Sequence, residues 1–258
     1  TLVFSLWRDE VLTGVHYLTG HSDESGARFV PGRHGLLDHG TEFYAATVFA
    51  DESGAPLVAG WCWEARDERS VDQQQTWAGT MSIPRRLHQR ADGSIGVRPL
   101  LRSDAPLFRA AASTELRLHG GVGSIAVPGG SCAIELTVRG EGSRAGVRLV
   151  EADSRVAHLE IALGLDRDEI TTTVLPGISR GRRRQTVNTL AGVETADVER
   201  RLTIFYDRSI VEIFVDTGDS FTHRIYPAPE SELCLEAFAD GRSALDATID
   251  ISTFEPEG

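Results

Sequence analysis

The run Leu202-Thr-Ile-Phe-Tyr-Asp-Arg-Ser-Ile-Val-Glu-Ile-Phe-Val215 constrains the fold more than any other stretch of this chain. β-Branched and aromatic residues fill it on either side of Asp207-Arg-Ser209. Two such runs around a turn of about three residues read as a β-hairpin. Successive side chains of a strand point to opposite faces, so Val211, Ile213 and Val215 share one face while Ile210, Glu212 and Phe214 share the other. Apolar side chains on both faces need cover on both, as in the two-layer packing of a sandwich.

The rest of the chain follows the same grammar. Residues 2–7, 14–19, 43–49, 57–63 and 76–83 read as short strands, and Asp51-Glu-Ser-Gly54 and Ala91-Asp-Gly93 supply turns. Strands resume from about Thr114, at 132–139, 146–151, 156–163, 169–175, 201–206, 210–215, 222–226, 233–238 and 244–251. Regular short strands suit a propeller, a barrel or a sandwich, an all-β fold. Between the two sets, Leu100, Leu101, Leu107 and Phe108 fall near helical spacing, interrupted by Pro106. A short helical connector over 97–112 is expected there, between a first region, 1–96, and a second, 113–258.

Charge narrows the partners. The net charge is −12, which repels nucleic-acid phosphates and anionic membrane surfaces. Every basic residue is an arginine. The cluster Arg180-Gly-Arg-Arg-Arg184 reads as an exposed loop in so acidic a chain. No apolar run is long enough to span a bilayer as a helix. Cys62, Cys132 and Cys234 sit in separate strand-like runs, an odd number that reads as free buried thiols and favours a reducing, cytoplasmic setting over secretion.

No cofactor motif stands out, and no metal site is expected. The histidines are scattered; His34 and His39, five apart in a Gly-rich loop, offer at most two ligands. The pairs Asp9-Glu10 and Asp67-Glu68 read as solvated turns. Asp38, Glu42 and Tyr44 are the polar group of most interest. Carboxylates bond strongly to hydroxyls, and aromatic rings offer flat apolar faces to the C–H side of a sugar. The competing reading makes the acids turn-formers and Tyr44 a core residue.

Four segments together carry a family resemblance: Gly35-Leu-Leu-Asp-His-Gly-Thr-Glu-Phe-Tyr-Ala-Ala46, Gly60-Trp-Cys-Trp63, Trp77-Ala-Gly-Thr-Met-Ser-Ile-Pro-Arg85 and Phe205–Val215. They resemble, in order, segments of the later half of glycoside hydrolase family 32, the invertases, levanases and inulinases. The resemblance implies about the last two blades of a five-bladed β-propeller followed by a C-terminal β-sandwich. It implies a fructose pocket touched by Tyr44, Glu42 and Trp63, with Trp7 and Ser5 lining the same cleft, and a fructose-containing sugar, sucrose or fructan, as ligand. The segment around Asp207–Val215 resembles a structural motif of the sandwich.

The family's retaining mechanism needs an Asp nucleophile and a Glu acid/base about 5–5.5 Å apart. No stretch here resembles the segments that carry them, so no catalytic residue is expected in this chain. The resemblance thus implies the C-terminal portion of a β-fructosidase, a non-catalytic carbohydrate-binding or subunit-interaction module, or an inactive truncated product. Two blades alone leave open strand edges, which calls for packing on the sandwich, on the missing N-terminal propeller segment or on a second copy.

Overall fold

A computed structural model describes residues 1–9, 11–66, 78–102, 107–128, 130–175, 186–195, 198–228 and 230–254. No helix occurs among them. The strands are β1 (Leu2–Arg8), β2 (Val11–Ser22), β3 (Phe29–Leu36), β4 (Phe43–Ala50), β5 (Pro56–Cys62), β6 (Thr80–Met81), β7 (Arg85–Gln89), β8 (Ile95–Pro99) and β9 (Phe108–Val127). There follow β10 (Ser131–Glu141), β11 (Arg144–Glu151), β12 (Ala157–Gly164), β13 (Glu169–Val174), β14 (Thr186–Ala191), β15 (Arg200–Asp207), β16 (Ile210–Val215), β17 (Ser220–Arg224) and β18 (Leu233–Phe254).

They form three sheets: a three-stranded β1-β2-β3, a five-stranded sheet built on β4-β5-β7-β8 with β6 beside β5, and a ten-stranded sheet. The last runs β14-β13-β12-β11-β18-β10-β15-β16-β17, with β9 also paired to β18. β18 is its hub. Residues 233–239 pair with β11, residues 244–253 pair with β10, and β9 accompanies both halves. The register shifts between Ala239 and Ala244, opposite Gly120 and Gly121, which hold φ of 73° and 84°. Glycine adopts that left-handed backbone without a Cβ penalty, so the ribbon turns a corner there.

The large sheet curls until its ends approach: His223 Nε2 on β17 lies 2.8 Å from Thr172 Oγ1 on β13. Its interior is one apolar cluster that includes Ile134, Leu149, Leu159, Val211, Ile213, Val215 and Ile249. The opposite face of β15 and β16 supplies Phe205, Ile210 and Phe214 to a second cluster with Val15, Phe43, Val58, Cys62 and Val97. The two faces read from the hairpin thus serve two different cores.

Three expectations change. The helical connector is not formed by the described residues of 97–112: Pro99 ends β8, Phe108 begins β9, and 103–106 lie outside the described residues. Phe108 packs on Phe205 and Phe254 across the sheet, 6.1 and 5.8 Å between ring centres, so tertiary pairing overrides the local spacing. The hairpin turn is Arg208-Ser209 alone, because Asp207 and Ile210 are paired. The strands expected at 233–238 and 244–251 are parts of one, since β9 follows both halves around the corner. The Arg180–Arg184 run, Asp67, Glu68 and Trp77 lie outside the described residues.

Candidate aromatic platform and the junction beneath it

Trp7, Tyr44 and Trp63 come from β1, β4 and the segment after β5, yet their rings meet. Tyr44 and Trp63 stack at 5.4 Å with 18° between planes. Trp7 stands edge-on to both, 5.8 Å from Tyr44 and 6.1 Å from Trp63. Trp61 tilts against Tyr44 at 6.3 Å. Trp7 is 46% exposed, so the group faces solvent.

Local backbone irregularities aim these rings. β1 shifts register between Leu6 and Trp7, and β4 between Tyr44 and Thr47. Bulges re-aim side chains in this way. Ala45 holds φ of 47°, a left-handed geometry that costs a non-glycine residue about 1–3 kcal/mol. The Ser5 hydroxyl accepts a hydrogen bond from the Ala45 amide at 3.0 Å and fixes the bulge. Trp63 donates from its indole to the Thr41 carbonyl and from its amide to the Glu42 carbonyl, each at 3.2 Å. The result is a fixed apolar platform suited to the C–H face of a sugar.

The Glu42 side chain does not join this group. It is buried at the junction between the small sheets and the large one, 3.4 Å from His223 Nδ1. Asp38 lies there too, in a network sequence reasoning did not assemble. Arg85, fully buried, reaches Asp38 Oδ2 and Glu212 Oε2, both at 2.7 Å. Its guanidinium also donates to Thr222 Oγ1 at 2.6 Å and Ser220 Oγ at 3.1 Å, and it lies 4.2 Å above the Phe43 ring. Ile83 N donates to Glu212 Oε1 at 2.7 Å, and Gly40 N to Asp38 Oδ1 at 2.8 Å. The one hint in the sequence is Glu212, a charge between Ile210 and Phe214 on an apolar face.

Burial works against ionising Asp38, but the Arg85 charge and the hydrogen bonds from Arg85, Thr222 and Ser220 hold its carboxyl below the usual range. For Glu212, burial outweighs Arg85 and pushes the carboxyl up, with the Asp38 charge adding to the rise. Two carboxyls with opposed shifts are what acid/base catalysis needs. Here Arg85 stands between them and all three side chains are closed to solvent, so the pair cannot flank a sugar bond.

His34 and His39 turn to different neighbours: His34 stacks on His16 at 5.8 Å, and His39 lies 3.5 Å from Asp219. Among the described residues no group of three or more His, Cys, Asp or Glu is placed to hold a metal. Cys62, Cys132 and Cys234 are buried free thiols.

The chain matches two family models: the glycosyl hydrolases family 32 N-terminal domain over residues 1–99, and the family 32 C-terminal domain over 107–253. It is 27% identical over 220 residues to the raffinose invertase of Escherichia coli, an alignment covering 83% of this chain and 43% of that protein. It is 26% identical over 216 residues to the sucrose-6-phosphate hydrolase of Vibrio alginolyticus, covering 80% and 39%. The fold is similar to that of the exo-inulinase of Aspergillus awamori, with TM-score 0.77 and 20% identity over 95% of this chain and 50% of that one. The chain therefore spans less than half the length of these two curated relatives.

Proposed function

The chain belongs to glycoside hydrolase family 32, and on that premise we propose that it is the C-terminal portion of a β-fructosidase that hydrolyses sucrose or a fructan. In this reading residues 1–96 are about two blades of a five-bladed propeller and 113–258 a β-sandwich. Trp7, Tyr44 and Trp63 form one wall of the fructose site. The nucleophilic Asp and the acid/base Glu come from propeller segments that the relatives' greater length accommodates.

The observation that carries the reading is the convergence of Trp7, Tyr44 and Trp63 into one exposed aromatic group. Those residues are at least 19 positions apart in sequence, so only a shared purpose or a shared core brings them together, and Trp7 is too exposed for core. A retaining enzyme needs two carboxyls about 5–5.5 Å apart across the scissile bond. The buried Asp38–Arg85–Glu212 group cannot supply them.

The test is sucrose hydrolysis by this chain alone and mixed with a polypeptide carrying the upstream propeller segments of a family 32 enzyme. We expect no turnover alone and recovered turnover in the mixture. Calorimetric titration with fructose should show binding that Trp63→Ala weakens by about tenfold, the size of one lost aromatic stacking contact. Turnover by the chain alone overturns the assignment of the carboxyls to another segment. A second reading, a carbohydrate-binding module without chemistry, fits the same exposed aromatic platform. Binding that responds to Trp63→Ala, with no recovery of turnover in the mixture, selects it.

A further inference from the structure

A cleft of about 440 Å³ opens where the segment after β5 meets the turn of the β15–β16 hairpin and the loop before β18. That volume lies within the range of small-molecule sites, about 300–1,000 Å³. Arg66, Tyr206, Arg208, Ser209, Tyr226 and Ser231 line it, with prolines and Leu233 between them. No acidic residue is among the described residues that line it, in a chain of net charge −12.

The positive charge is built in. Two guanidinium groups lie over the Tyr226 ring, Arg66 at 4.6 Å and Arg224 at 5.5 Å from its centre. Arg66 is paired with Glu64 at 2.9 Å, and Arg224 is tied to the Cys62 carbonyl and to Ser209. Arg208 differs from both. It occupies the hairpin turn at φ of 52°, where an arginine is uncommon, and its side chain is exposed. Among the described residues neither its guanidinium nor the Tyr206 hydroxyl has a hydrogen-bond partner.

The opposite wall is held in place. The Ala228 amide donates to Glu151 Oε1 at 3.0 Å, His158 Nε2 lies 2.9 Å from the same oxygen, and the Ala152 amide donates to the Glu232 carbonyl. Burial opposes the Glu151 charge, but the bonds from Ser154, Ala228 and His158 bring its carboxyl down to about 2. The anchor therefore stays ionised at neutral pH.

We propose that this cleft binds a small hydroxylated anion, with a sugar phosphate as the type, the arginines taking its charge and the Tyr206 and Ser231 hydroxyls its hydroxyl groups. Guanidinium groups match phosphate oxygens in geometry as well as charge. Tyrosine and proline faces suit the C–H side of a sugar ring. The proposal stands independently of the fructoside reading, because it uses none of Trp7, Tyr44 or Trp63.

The experiment is calorimetric titration of the full chain with glucose 6-phosphate, inorganic phosphate and glucose. Glucose 6-phosphate should bind about tenfold or more tighter than glucose, the worth of one hydrogen-bonded charge. Arg208→Gly removes the charge and places at φ of 52° the residue best suited to it. This variant should keep its melting temperature and lose about tenfold in sugar-phosphate affinity. Tyr206→Phe should lose affinity for glucose 6-phosphate with its fold intact by circular dichroism. The assignment is overturned if glucose 6-phosphate fails to bind at millimolar concentration, or if both variants bind it as the parent does. Inorganic phosphate binding as tightly as glucose 6-phosphate overturns the hydroxylated carrier.

Discussion

The two regions of this molecule solve the burial problem differently. The described residues of 108–254 form one sheet that curls around its own interior. Those of 1–99 form two smaller sheets that leave Leu2, Phe4, Val11, Phe29, Val48 and Phe49 exposed, Val11 at 64%. The second region carries its own core, whereas the first borrows part of one, because its apolar cluster includes Ala133, Phe205, Ile210 and Phe214 from the large sheet. Apolar area removed from water contributes about 25 cal/mol per Å², so an unclosed region gains less from its own folding. The stability of the first region is thus expected to depend on the junction, and the buried Asp38–Arg85–Glu212 group lies at its centre.

The largest test of that dependence is Arg85→Leu. It leaves two buried carboxyl groups without their shared cation, a loss of about 3–5 kcal/mol. Hydrogen exchange should show residues 1–99 opening before 108–254; a single unfolding transition of unchanged midpoint would show that the apolar cluster alone joins the regions. Gly40→Ala acts at the same seam by shape, because a Cβ there falls 2.1 Å from the Thr222 carbonyl oxygen. A cost of about 1–3 kcal/mol is expected from such overpacking, read as a lowered denaturant midpoint with faster exchange in β17.

The smallest effect is expected of Glu212→Gln, and its sign follows from the opposed carboxyl shifts. Asp38, shifted down, adds stability that is present above its unfolded value of 3.8 and is lost as pH falls below it. Glu212, shifted up, adds stability that is full below its unfolded value of 4.5 and is lost as pH rises through its folded value. Glu212→Gln keeps a polar side chain beside Arg85, so it should cost less than Arg85→Leu and flatten the decline of stability above pH 4.5. Urea titrations between pH 4 and 8 decide it; a large loss at neutral pH would mean that the Glu212 charge is needed.

What could be read from the sequence was local. The alternation of Ile210–Val215 separated the two cores because a strand's two faces are fixed by its period. β3 is hidden in the sequence because Pro31, Gly32 and Gly35 interrupt its apolar run, and β18 looks like two strands because Asp240-Gly-Arg-Ser243 has turn composition. The aromatic group was reached only through resemblance, since nothing in the spacing of Trp7, Tyr44 and Trp63 makes them neighbours. Arg85 was out of reach for a plainer reason. Its partner Glu212 is 127 positions away, and a charge that will be buried looks in sequence like any other.

The position of β18 has a cost during synthesis. β9 is complete at Val127, but the strand it pairs with begins only at Leu233. At the translation rates typical of cells, about 5–20 residues per second, β9 waits roughly 5–20 s for its partner. Through that interval the nascent chain presents unsatisfied amides and carbonyls along a long ribbon, an invitation to chaperones and to neighbouring nascent chains alike.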